Sequence, residues 1–492
     1  MIDPTEVVGV VDERLFGSFV EHMGRAIYGG IYEPGHPTAD ADGWRRDVID
    51  LVRRLGVTTV RYPGGNFVSG YDWEDGIGPR ERRPERRDLA WRSIEPNLIG
   101  TDEFMAWAGL VGVDPILAVN LGTRGAEAAR DLVEYCNAPA GTRFADRRAA
   151  NGHVTPYGIR TWCLGNEMDG PWQIGHTTAA DYGRRAADAG RAMRLVDPSI
   201  ELVACGSSGA GMPTFGSWEM TVLELAGDVV DHLSLHAYYD PAAYETVDDF
   251  LRCSTELDRM IETVAGIVDA VTTRRGDGRR IGLSIDEWNV WHHGEHVEQE
   301  AERDTRGFER APALAEDTHD LLDALVVGCL LITLLRHADR VSIACQAQLV
   351  NVIASIRTID GGPAWLQASA YPFADVARWG HGTALRLDAE SSPPDAIEAA
   401  AVHEPVSGAL TLFAVNRTAE PLAFEVELRG FGRLAIDVQT VLTDPDLHAS
   451  NRADEPLRLV PRPADGASID AGRVSVPLAA RSWNVVRLVA PA

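Results

Sequence analysis

The chain has 492 residues, 45% of them hydrophobic, and a formal net charge of -27 at pH 7. Such a length suits a barrel of about 250 to 400 residues plus a smaller module, and the acidic balance excludes nucleic acid and anionic membrane as partners, favouring neutral or weakly acidic ligands. The six cysteines (Cys136, Cys163, Cys205, Cys253, Cys329 and Cys345) form no CxxC pair and are expected as reduced, buried thiols. No basic segment followed by an apolar run opens the chain, so a cytoplasmic protein is expected. The most apolar stretch, 325–335, is about half the length that spans a bilayer and lies between Asp323 and Arg336, which predicts a core helix.

Short runs rich in Val, Ile and Leu recur between helical patterns. In chain order they are 15–20, 58–62, 115–121, 159–164, 200–205, 232–236, 281–285 and 341–345. Continuous apolar strands without polar alternation belong to a parallel sheet covered on both faces. Asp47, Val48, Leu51, Val52 and Leu55 repeat at helical spacing before Gly56, and Thr101-Asp102-Glu103-Phe104 opens a helix with an acidic first turn. Longer helices are predicted over 177–197, 247–275 and 315–338. Eight strand-helix units predict an α/β fold, a (β/α)8 TIM barrel over 14–379 with its active site at the C-terminal strand ends. After about residue 380, short alternating runs such as 410–415, 422–428, 434–442 and 483–489 predict an all-β, jelly-roll-like sandwich over 380–492. Residues 1–13 are expected to add one strand to it, and 389–395 to form a loop.

Two strand ends carry the chemistry. The runs Trp162 to Asp169 and Leu283 to Asn289 each lead an apolar stretch into a glutamate, Glu167 and Glu287, at the start of a polar loop. There one carboxyl group can stay protonated while its partner stays ionised, the division of labour in retaining glycoside hydrolysis. A lone glutamate at a strand end is more often a salt-bridged structural residue; the pair on strands four and seven points to catalysis. Asp286 is expected to point away from the pocket, because adjacent strand residues face oppositely.

Asn166 can offer its amide to a sugar hydroxyl, and His236 and Tyr238, two residues apart on strand six, can orient the strand-seven glutamate. Glu21 ends strand one, Arg61 and Asn66 bracket the turn after strand two, and Gln346 and Gln348 follow strand eight. Trp91, Trp172, Trp288 and Trp291 fall in loops where indoles stack on sugar faces, though each could equally be loop packing. His292-His293-Gly294-Glu295-His296 has zinc-ligand residue types but lacks ligands from several strand ends, so no metal is expected. Gly206 to Gly211 lacks the lysine of a phosphate loop.

Seven segments in order resemble the α-L-arabinofuranosidases of glycoside hydrolase family 51: Phe19-Val20-Glu21-His22, Arg61 to Asn66, Gly100 to Phe104, Gly165-Asn166-Glu167-Met168, His236-Ala237-Tyr238-Tyr239, Asp286-Glu287-Trp288-Asn289 and Ala347 to Asn351. The likeness covers nearly the whole chain, though the stretch before Leu15 is shorter than the family pattern. It implies a barrel with a C-terminal sandwich and a cofactor-free exo-enzyme that removes terminal α-L-arabinofuranosyl groups from oligosaccharides with retention. It further implies Glu167 as acid/base and Glu287 as nucleophile, with Glu21, Asn66, Asn166, Tyr238 and Gln348 holding the furanose hydroxyls. Arg61 would lie near the nucleophile, and Trp91 and Trp291 at the pocket mouth. A homohexamer is implied by the resemblance alone. The alternatives are a related β-xylosidase or endoglucanase, or an inactive carbohydrate-binding protein.

Overall fold

Eight parallel strands close into a barrel: β1 (Gly17–Phe19), β2 (Thr59–Tyr62), β3 (Asp114–Val119), β4 (Thr161–Leu164), β5 (Glu201–Cys205), β6 (His232–Tyr239), β7 (Gly282–Val290) and β8 (Val341–Gln346). Each pairs with the next in sequence, and β8 pairs with β1. The computed structural model describes residues 1–296, 307–387 and 395–491. The loop expected at 389–395 lies, up to residue 394, outside the described residues.

Strand faces follow the apolar pattern. Phe19, Ile116, Ala118, Cys163, Val203, Ile343 and Cys345 fill the barrel interior, while Val60, Leu117, Trp162, Leu164 and Leu233 join the core under the helices. All six cysteines are free and buried. The helix Arg46–Leu55 buries Val48, Ile49, Val52 and Leu55, and ends where Gly56 takes a left-handed φ of 75°. The predicted helix 247–275 is divided: a single turn, Val247–Phe250, is capped by Thr246, and Ser254–Arg275 follows. No helix among the described residues is long and apolar enough to cross a membrane.

Two strands run longer than the sequence suggested. β6 continues through Tyr239 and β7 through Val290, so Glu287 lies inside a strand rather than at the start of a loop. β7 also carries a bulge: Ser284 pairs with Ser234 and Glu287 with His236, three residues against two. The extra residue breaks the inward-outward alternation.

The C-terminal part has a seven-stranded sheet facing a three-stranded one, Leu422–Glu427, Arg473–Leu478 and Ser468–Asp470. Leu410, Leu412, Val486 and Leu488 meet Phe424, Val426, Val474 and Val476 between them. The N-terminal strand Val7–Val10 pairs with Thr383–Leu385 at one edge of the larger sheet, despite the short leading segment. That sheet's other face packs on the helix Leu321–Arg336, of which every residue from Leu321 to Leu335 is buried. A helix apolar on all sides needs cover on all sides, and the barrel and the sheet supply it.

Gly328 is where this helix meets Trp483 most closely: a Cβ there would lie 2.7 Å from the indole Cε3. Gly328→Ala is therefore expected to destabilise the protein by about 1–3 kcal/mol through overpacking, despite alanine's better helix propensity. Urea unfolding measures this, and an unchanged or raised midpoint would contradict the packing described.

Candidate active site

A cavity of about 540 Å³ opens at the C-terminal ends of the strands, lined among others by Glu21, Asn66, Trp91, Glu167, Tyr238, Glu287, Trp291 and Gln348. A carboxylate oxygen of Glu167, a ring nitrogen of His236 and a carboxylate oxygen of Glu287 all lie within 4.8 Å of one another. These three atoms could in principle hold a cation. They already exchange hydrogen bonds, however, and Arg61 brings a positive charge to the same place.

Glu287 is held from two sides. Arg61 Nη1 donates to its Oε1 and the Tyr238 hydroxyl to its Oε2, each at 2.7 Å. Arg61 Nη2 donates to Asn166 Oδ1 at 2.7 Å, which fixes the amide next to Glu167, and Asn166 Nδ2 reaches Asn66 Oδ1 at 3.4 Å. Glu167 follows β4 with a left-handed φ of 44°. His236 Nδ1 lies 2.8 Å from Glu167 Oε1 and 3.5 Å from Glu287 Oε2, between the two acids.

Asp286 corrects the sequence reading. It points into the barrel beneath Glu287, within 3.2 Å of His236 Nε2 and 3.4 Å of Arg61 Nε, and accepts a short hydrogen bond from Ser234. The bulge turns both acids inward, which strict alternation cannot do. Trp288 accordingly faces the outer core, fully buried, and is no part of the pocket. Gln346 is likewise turned to Ser355 and Asn289 rather than the cavity.

The charges form one titrating cluster. Burial would raise Asp286, but Arg61 and His236 outweigh it and hold it at about 2. Burial opposes charge on His236, yet Glu287, Asp286 and Glu167 raise it well above the usual imidazole range. For Glu287, burial dominates and raises the carboxyl, with His236 and Arg61 pulling it down.

Glu21 lies beside that cluster and feels the charge of Glu287. Phe67 N and Trp91 Nε1 both donate to its Oε1 at 2.8 Å, and its own N–H donates to Gln348 Oε1 at 3.0 Å. Gly65 makes the room, since a Cβ there would lie 2.5 Å from Glu21 Oε2. The aromatic rim comes from Trp91, half-exposed Trp172 and Trp291, whose ring meets Tyr238 edge-on at 5.3 Å. Ser208, Asp240 and His293 also line the cavity. Ser208 and Asp240 sit on loops and His293 opens a helical turn, where no spacing or period marks them as pocket residues in advance. His292 and His296 turn instead to Asp323 and Asp317.

Comparison with known proteins decides the family. A model described as "Alpha-L-arabinofuranosidase 1 domain" matches residues 51–256, and one described as "Alpha-L-arabinofuranosidase C-terminal domain" matches 286–482. An intracellular exo-α-(1→5)-L-arabinofuranosidase of Streptomyces lividans is 51% identical over 100% of this chain and 75% of that protein. The structure of a family 51 α-L-arabinofuranosidase from Bifidobacterium longum matches with a TM-score of 0.91 at 45% identity, over 98% of this chain and 97% of that one. The chain belongs to the α-L-arabinofuranosidases of glycoside hydrolase family 51. An α-L-arabinofuranosidase from Thermotoga maritima, solved as an arabinose complex, has a TM-score of 0.88 at 31% identity, over 99% of both chains. As a glycosidase of this family, the protein acts on a carbohydrate substrate.

Glu21 supplies a pH test. Burial, and then the charge of Glu287, push its carboxyl from 4.5 up to about 8. The folded arabinofuranosidase therefore keeps a proton that the unfolded chain releases. This contribution to stability is complete below the unfolded value and lost by about 1.4 kcal/mol per pH unit as pH rises towards the folded one. Glu21→Gln, neutral throughout, is expected to remove that slope. Parallel pH-stability curves for the two proteins in urea would contradict the buried, protonated state.

Proposed function

We propose that this exo-arabinofuranosidase works by double displacement, with Glu287 as nucleophile and Glu167 as acid/base. The observation that carries the reading is the approach of their oxygens to within 4.8 Å of each other in one pocket. Retaining enzymes hold the two carboxyl groups about 5–5.5 Å apart, whereas inverting enzymes leave about 6.5–9.5 Å for a water. Glu287 attacks the anomeric carbon of a terminal α-L-arabinofuranosyl group as Glu167 gives its proton to the departing oxygen. Glu167 then takes a proton from the water that displaces Glu287, and arabinose leaves with its configuration retained.

The neighbours support those roles. Arg61 and Tyr238 bring a donor to each Glu287 oxygen, which favours the ionised nucleophile. Glu21, Asn66, Asn166 and Gln348 offer polar atoms suited to the furanose hydroxyls, His236 orients both acids, and Trp91 and Trp291 wall the sugar. Relatives named intracellular, including one from Bacillus subtilis at 48% identity over 99% of this chain and 98% of that protein, support a cytoplasmic enzyme acting on arabinofuranosyl oligosaccharides. Family resemblance adds a homohexamer; native mass by light scattering and cell fractionation check both points, with a monomer or a secreted protein overturning them.

Azide separates the two glutamates. Glu167→Ala is expected to form the glycosyl-enzyme from a dinitrophenyl arabinofuranoside and then stall, with azide restoring turnover as the retained, α-configured glycosyl azide. Glu287→Ala is expected to form no covalent intermediate and to give the inverted, β-configured azide. Exchanged products would reverse the two roles. An initially inverted sugar in proton NMR of the wild-type reaction would overturn double displacement.

A further inference from the structure

Trp172 lies on the loop that Glu167 begins, with 50% of its surface exposed at the rim of the cavity. Its indole Nε1 donates to Glu167 Oε2 at 2.6 Å, while His236 Nδ1 lies 2.8 Å from Oε1. Both oxygens of this carboxyl group are thus engaged. An indole N–H can only donate, so it supplies no proton acceptor and cannot relay one. A leaving oxygen must nevertheless take its proton from one of these two atoms, and one partner has to yield.

The two partners differ in freedom. His236 is 2% exposed and fixed from its other nitrogen by Asp286 at 3.2 Å. Trp172 meets solvent, and its indole rests over Gly170, where a Cβ would lie 2.5 Å from the ring. The glycine gives the indole a seat without enclosing it.

We infer that Trp172 is a positioning residue for the acid: its indole N–H holds Glu167 Oε2 and releases it when a leaving group enters. The ring then walls the space that the leaving group fills. When the C–O bond breaks, its electron pair goes to the leaving oxygen, which takes the Glu167 proton and departs as an alcohol. The carboxylate left behind regains the indole N–H until the attacking water returns a proton to Glu167. This inference rests on Glu167 being the acid/base.

Trp172→Phe keeps an aromatic ring and removes the N–H. Its alkaline limb of kcat/KM for an arabino-oligosaccharide is expected to move to higher pH by about 0.5–1 unit, because the ionised acid loses a charge-assisted hydrogen bond. The loss in kcat at the plateau is expected to be about five-fold greater for the oligosaccharide than for a dinitrophenyl arabinofuranoside, which needs little protonation. Trp172→Ala, lacking the wall as well, is expected to add a rise in oligosaccharide KM. A folded Trp172→Phe enzyme whose limb coincides with that of wild type overturns the inference. Glu167→Gln is the control: loss of the limb in that variant keeps Glu167 as the acid, so an unmoved limb in Trp172→Phe would then sink only the role of Trp172. A limb that survives in Glu167→Gln would overturn the acid assignment, and the inference with it.

Discussion

A guanidinium with 1% of its surface exposed organises the catalytic end of this barrel. Arg61, on β2, meets Glu287 and Asp286 on β7 and Asn166 after β4, so one side chain ties together three parts of the barrel wall. A charge this far from water persists only when paired and hydrogen-bonded; removing one partner of such a pair typically costs about 3–5 kcal/mol. The need runs both ways, since two adjacent inward acids require more than one cation. His236 is the second, and its ring spans from Asp286 beneath to the two glutamates above.

From this ionic base the pocket changes character towards its mouth. Above the paired charges stand Glu21, kept neutral by burial, and the amides of Asn66 and Gln348. Above these lie the indoles. A polyhydroxylated ring with one face less polar than the other suits this gradient, which charge at the rim would spoil by holding water.

Much of this was legible in the sequence, and the failures share a cause. Eight apolar runs predict eight barrel strands because buried parallel strands have no polar face to confuse the pattern. Glu167 and Glu287 stand out for the apolar runs that deliver them, and Tyr238 and His236 for their two-residue spacing. Asp286 and Trp288 were misplaced by the same rule, because one extra residue in β7 changes which side chains face inward, and no residue type in Ile285-Asp286-Glu287-Trp288 announces a bulge. Ser208, Asp240 and His293 were missed because the path of the chain beyond a strand end depends on what it packs against. Family resemblance supplied the roles expected of Glu21 and Gln348, which local chemistry alone leaves open.

The edge strand Val7–Val10 and the buried helix Leu321–Arg336 also bear on how the protein is made. The first precedes the barrel in the chain, yet its partner strand follows the entire barrel. The second leaves the ribosome with sixteen largely apolar residues and no sheet to cover its outer face. During translation the nascent chain therefore presents an unpaired strand and an uncovered apolar helix together, surfaces that chaperones bind and that promote aggregation. Both are covered only once the sandwich strands that follow the barrel in the chain have been made, so the sandwich acts in biogenesis as the piece that closes the barrel's flank.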